Sequence, residues 1–125
     1  MSSTLGVGTY ENRTAFRPGE IVAGKAMWIL DADPKSVEIR LFWYTEGRGD
    51  QDVAIVATQV IQTPGRRSEA EFRFTLPEAP YSFKGSLITL LWAIEVVVLP
   101  SKESARQAIF VSPKGCELLL PVIPA

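Results

Sequence analysis

The chain has 125 residues, the size of one domain, and a domain of that size buries roughly two-thirds of the surface its unfolded chain exposes. Hydrophobic residues make up 46% and charged residues 22%, and the net charge is −1, so no global field draws the chain to nucleic acid or an anionic membrane. A single cysteine excludes a disulfide-stapled mini-domain, and the absence of histidine removes the commonest general base and metal ligand, with any Ser-His-Asp or Cys-His arrangement.

The opening "MSSTLGVGTYENRT" has no basic region followed by an apolar one, so no signal peptide is read and a cytoplasmic setting is expected. Asn12-Arg13-Thr14 fits a glycosylation acceptor, and Arg48-Gly49-Asp50 an adhesion tripeptide. Both matter only outside the cell, and "GRGD" reads more simply as a polar hairpin tip. Gly6 and Gly8 lack a following helix and make no phosphate cradle. "DADP" (Asp31 to Pro34) is a turn whose Asp side chains accept backbone hydrogen bonds. The pairs Asp31/Asp33 and Asp50/Asp52 lack the regular spacing of a calcium loop, so no metal and no cofactor are expected.

Turn signals recur at Pro18-Gly19, Asp31 to Pro34, Gly47 to Asp52, Pro64-Gly65, Pro77 to Pro80, Pro100-Ser101 and Pro113 to Gly115. Between them lie runs rich in Val, Ile, Phe and Trp, and no run carries a helical stripe. Short strands with punctuating turns predict an all-β sandwich or barrel. In "VEIRLFWY", Val37, Ile39, Leu41 and Trp43 form one apolar face. The run "DVAIVATQVIQ" is apolar on both faces, and its register stays open. "EAEFRFTL" alternates throughout, with Ala70, Phe72, Phe74 and Leu76 inward. Pro77 and Pro80 stop that strand, because proline cannot donate to the ladder. Ser82 then bonds backbone, Phe83 plugs the end of the core, and Gly85 lets the chain turn back without a Cβ clash.

The longest apolar run, Leu87 to Leu99, is too short for a membrane helix and carries Glu95, so no direct membrane insertion is expected. Its inner set is Ile88, Leu90, Trp92, Ile94, Val96 and Val98. Extended, it spans roughly 43 Å, long enough to predict a bend or bulge. Cys116 in "KGCELLLP" reads as a small buried hydrophobe.

The inward faces leave Phe42 and Tyr44 on the opposite side of one strand, and Leu91, Val97 and Leu99 on the opposite side of another. Together they predict an exposed apolar patch, the mark of a partner site. The competing reading is that a strand, a bulge or the apolar tail "CELLLPVIPA" covers them.

Three segments, in order, resemble the arrestin-like family. "FRPGEIVAGKAMW" (Phe16 to Trp28) is similar to its opening Pro-Gly-Glu-x-Val-x-Gly signature. There Pro18-Gly19 makes a tight turn, Glu20 starts a strand, and Gly24 permits a close approach or bulge. "VEIRLFWYTEG" is similar to a family strand that ends in a glycine turn. "FRFTLPEAPYSFKGSLITLLWAIEVVV" is similar to its Phe-x-Phe, Pro-x-Ser-Phe-x-Gly and long-strand block, with Pro80, Ser82, Phe83, Gly85 and Trp92 at the motif positions. Trp92 in place of tyrosine looks more like microbial single-chain members. The resemblance implies an immunoglobulin-like antiparallel β-sandwich over residues 1–125 and a non-enzymatic adaptor role, docking protein partners such as membrane-protein tails or signalling components. The family usually has two such sandwiches, and this chain has room for one. The paired phosphate-binding lysines of receptor arrestins have no counterpart in "TLGVGTY", so no phosphate site is carried over.

The sequence reading is thus a protein-binding module, possible as a homodimer, working through a sheet face or edge. Phe42, Tyr44, Leu91 and Val97 are its candidate contact residues. The alternatives are a small-molecule or carbohydrate-binding sandwich with Trp28 or Trp43 in a groove, or one half of a two-domain protein.

Overall fold

The computed structural model describes residues 3–47, 51–85 and 87–113. Its strands in chain order are β1 (Thr4–Thr9), β2 (Ala15–Phe16), β3 (Ile21–Ile29), β4 (Ser36–Gly47), β5 (Val53–Ile61), β6 (Arg67–Thr75), β7 (Phe83–Lys84), β8 (Ile88–Leu99) and β9 (Ser104–Val111). One 3₁₀ turn, Tyr10–Asn12, follows β1. The adhesion-like tripeptide, Cys116 and the apolar tail lie outside the described residues. Among the described residues, no helix is long and apolar enough to cross a membrane.

The strands form an all-β sandwich. A three-stranded sheet has the order β1-β3-β6, and a six-stranded sheet has the order β2-β9-β8-β4-β5, with β7 on β8. Pairing is antiparallel except for β2 and β9, which run parallel through Ala15 with Phe110 and Phe16 with Val111. The all-β sandwich expected from the sequence is observed, with this one parallel pair at its edge. The chain passes there from one sheet to the other through the 3₁₀ turn Tyr10–Asn12.

Period-two alternation builds the core. From the smaller sheet, Val22, Ala26, Trp28, Phe72 and Phe74 point inward; from the larger, Val37, Ile39, Leu41, Trp92, Ile94, Val96 and Ile109 meet them. Both buried indoles find acceptors. Trp28 Nε1 donates to the Gly65 carbonyl at 3.1 Å, and Trp92 Nε1 to the Pro80 carbonyl at 3.0 Å. Gln107 also faces inward and is satisfied by β1. Its Oε1 accepts the Thr9 N–H at 3.0 Å, and its Nε2 donates to Thr9 Oγ1 at 3.0 Å. This bridge fastens the first strand to the last across the two sheets.

The turn before β3 is tied to the strand beside it. Gly19, at a φ of +81°, donates its N–H to the Leu76 carbonyl at 3.0 Å, and the Leu76 N–H donates to the Glu20 carbonyl at 2.8 Å. The Glu20 carboxylate accepts the Arg17 N–H at 2.6 Å and the Arg13 guanidinium at 2.8 Å. These bonds, that from Arg13 foremost, hold the Glu20 carboxyl below the usual carboxylate range. Glu20→Gln is expected to cost about 1 kcal/mol at neutral pH, a modest figure because the pair is partly exposed. A lowered folded-state value gives stability above the unfolded value that is lost as pH falls through the folded one. Urea unfolding of both proteins at pH 7 and pH 3 checks this: the gap should close at the lower pH.

The stop after β6 works through its own contacts. Ser82 is fully buried; its N–H donates to the Val111 carbonyl at 2.7 Å, and its Oγ accepts the Val111 N–H at 2.9 Å. Phe83 is half-buried, pairs with Leu90 and packs against the core. The Gly85 N–H donates to the Ile88 carbonyl at 2.9 Å and closes the turn into β8.

β8 itself is unbroken. It pairs with β4 in one register from Ser36 opposite Leu99 to Gly47 opposite Ile88. The bulge expected in this long run lies elsewhere, on the other flank of β4. Leu41 faces Ala57 and Phe42 faces Ile55, which leaves Val56 as the extra residue of β5.

Candidate interaction surface

The outer face of the six-stranded sheet carries Phe42 and Tyr44 on β4, Leu91 and Val97 on β8, and Arg106 on β9. The structure brings Phe42 and Tyr44 together, with ring centroids 5.7 Å apart. Tyr44 also pairs with Leu91 across the ladder. Phe42 and Val97 are not exposed, contrary to the expectation: their exposures are 6% and 4%.

Side chains from distant positions account for the difference. The Arg106 guanidinium lies over both rings, 5.3 Å from the Phe42 centroid and 5.4 Å from that of Tyr44. Arg106 is itself held by Glu95 at 3.4 Å. Val97 sits in register between Glu38 and Ser104, in a hollow lined by Arg40, Glu95 and Lys102. Arg40 pairs with Glu38 at 3.0 Å. Paired charged side chains cover this part of the sheet, and Arg40, Glu38 and Glu95 are themselves largely buried, at 26%, 20% and 15% exposure.

The exposed apolar surface lies one strand further out, on β5. Val53, Ile55, Val56 and Val60 are 66%, 54%, 42% and 47% exposed. Sequence reasoning missed these residues because the bulge reverses the in-out phase within the strand. Ala54 and then Ala57, Gln59 and Ile61 face inward; Val53 and Ile55 and then Val56, Thr58 and Val60 face outward. A fixed period of two, read along "DVAIVATQVIQ", mixes the two sets. The signal that remained was the absence of charge from Val53 to Ile61.

Between this stripe and the aromatic pair runs a shallow groove of about 400 Å³, lined by Arg40, Phe42, Tyr44, Val53, Ile55 and Arg106 among others. Its rim is fixed by a hairpin contact, in which the Asp52 N–H donates to Thr45 Oγ1 at 2.9 Å and the Thr45 N–H to the Asp52 carbonyl at 2.9 Å. Of the charged residues on its walls, Arg106 pairs with Glu95 and Arg40 with Glu38. Trp28 and Trp43, the aromatics considered for a ligand groove, pack on or within the core instead. Asp33 is engaged by Arg66 at 3.0 Å. Among the described residues, no three His, Cys, Asp or Glu side chains gather to hold a metal ion.

No protein-family model matches the chain, and no curated protein matches it in sequence. Among solved structures, it is similar to Spo0M, the sporulation control protein from Bacillus subtilis, with a TM-score of 0.64 and 18% identity over 89% of this chain. The chain spans about half of Spo0M, 49% of its length. At this identity the likeness concerns the fold, and it agrees loosely with the arrestin-like resemblance. A β-glucosidase from Listeria innocua aligns at a TM-score of 0.48 and 14% identity, covering 87% of this chain and 16% of its own. That likeness is too distant to carry anything about activity.

Proposed function

We propose that the chain is a non-enzymatic protein-binding module of arrestin-like type, acting in the cytoplasm as an adaptor. Its contact surface is the outer side of β5 with the adjoining groove at Phe42 and Tyr44. The observation that carries this reading is the aliphatic stripe Val53, Ile55, Val56 and Val60, held on the terminal strand of a sheet among the described residues. An exposed apolar strand edge offers both unpaired backbone groups and side-chain contact to a protein partner. The likeness to a sporulation control protein is in keeping with a regulatory role. The groove is a weaker candidate for a small-molecule site, because Arg106 already occupies the faces of both aromatic rings.

The test is site-specific photocrosslinking in the source cell. A crosslinking residue in place of Ile55 should capture a discrete protein species, and one in place of Arg73, on the outer face of β6, should not. Equal labelling at both positions, or none at Ile55, would sink the reading. The Ile55→Asp variant should fold as the parent does, since the side chain faces solvent.

A further inference from the structure

The four terminal strands of the two sheets differ in how their edges are protected. β2 is two residues long. β6 carries Arg67, Glu69, Glu71 and Arg73, whose charges repel an incoming strand of apolar residues. β1 is short and half-buried, and its last N–H is already taken by Gln107. β5 lacks the charge and the shortness of these strands, and its one tie to the facing edge, among the described residues, is Gln59 Nε2, which donates to the Glu71 carbonyl of β6 at 2.8 Å. It is nine residues long, has no Pro and no charged residue, and has only β4 as a hydrogen-bonded neighbour among the described strands. Its one irregularity, the bulge at Val56, adds an exposed aliphatic residue.

We propose that β5 pairs antiparallel with β5 of a second copy of this chain, about a two-fold axis, joining two six-stranded sheets into one. This rests on the reading of β5 as the contact surface and names its occupant. Composition selects that occupant. A strand carrying Lys, Glu, Asp or Arg would set its charge against valine and isoleucine, where nothing pairs it. A second β5 brings no charge at all. A two-fold axis normal to the sheet keeps both outer faces on one side, so the outward set Val53, Ile55, Val56, Thr58 and Val60 meets the same set running the other way. The interface is self-complementary by construction: every donor and acceptor is offered twice.

The contact is small. By their fractional exposures, the four aliphatic side chains present on the order of 300 Å² per copy, far below the ~800 Å² per partner of a standard stable interface. A contact this far below the standard range makes a weak, dissociable dimer the expectation.

Sedimentation velocity of the wild-type chain from about 5 to 500 µM tests this. The expected result is a monomer that becomes a dimer and stops there. A monomer throughout, or an open series of larger species, overturns the proposal. Val56→Lys and Val56→Glu lie near the centre of β5, where the axis would place the two copies of the residue close together. Each alone should be monomeric over the same range with an unchanged melting temperature, and an equimolar mixture should dimerise. Persistence of the dimer in either variant alone overturns pairing through β5. Thr58→Lys, also outward, repeats the test if a Val56 variant fails to fold. A monomeric wild type whose Ile55 crosslinker still captures a different protein would refute self-pairing while the protein-binding reading stands; failure of both would refute both.

Discussion

Replacing Gly24 with alanine is expected to cost about 3 kcal/mol and lower the melting temperature by roughly 10 °C. The cause is space. A Cβ built at Gly24 lies 2.0 Å from the Gly8 carbonyl oxygen, 2.8 Å from the Thr9 Cα and 2.8 Å from the tip of the Phe72 ring. Two of these neighbours are backbone, so no rotamer change relieves the clash. β1 would have to leave its register with β3, where Thr9 faces Gly24, and the bond from Thr9 to Gln107 would go with it. Gly6→Ala, on the neighbouring strand β1, is the control. Its Cβ meets nothing nearer than Met27 at 3.5 Å, and it should change stability by less than about 1 kcal/mol. Thermal unfolding of the two variants side by side decides the matter; equal effects would mean that the crowding at Gly24 is relieved cheaply.

Trp92→Ala should be at least as damaging, costing about 3–5 kcal/mol, because it empties the largest buried volume of the central strand. Trp92 also fixes the segment that precedes its own strand. Its indole N–H is held by the Pro80 carbonyl, twelve residues earlier, so the side chain clamps the proline-rich stop to the sheet. Trp92→Phe separates the two roles. It keeps most of the apolar volume and leaves the Pro80 carbonyl without its donor, which should cost about 1–3 kcal/mol. Amide exchange around Ser82 and Phe83 should rise in the Phe variant while the β4 and β8 ladder stays protected. Unchanged exchange there would show that the indole serves packing alone.

The two variants mark what was legible in the sequence. Alternation is strict in β6, so Phe72 falls in the core by parity; in β4 and β8 parity also orders the inward sets and places Trp92, although both faces are apolar and Ile88, read as inward, is 44% exposed. Pro18-Gly19, Pro80 and Ser82 could be read because each constrains its own backbone or the residues beside it. The interaction surface was only half legible. Parity correctly put Phe42 and Val97 on the outer face, but it says nothing about what lies above them. Arg106 reaches Phe42 from 64 positions further along the chain, and that contact follows from the order of strands in the sheet. β5 failed for the opposite reason: its chemistry was plain, but a single inserted residue at Val56 broke the periodicity that sequence reading depends on.

The bridge from Gln107 to Thr9 spans 98 positions, and it sets an order of events during synthesis. β9 is the last described strand to leave the ribosome; until it does, β8 is paired on that side by β7 alone, and β1, paired with β3, lacks its bridge to Gln107. At ~5–20 residues per second, the interval between the completion of β5 and that of β9 is roughly 3–10 s. For that time a growing chain displays an uncharged strand edge beside an unfinished sheet, within reach of sister chains on the same message. Until β9 is made, the sandwich therefore lacks both the strand that completes its larger sheet and the side chain that ties its two sheets together.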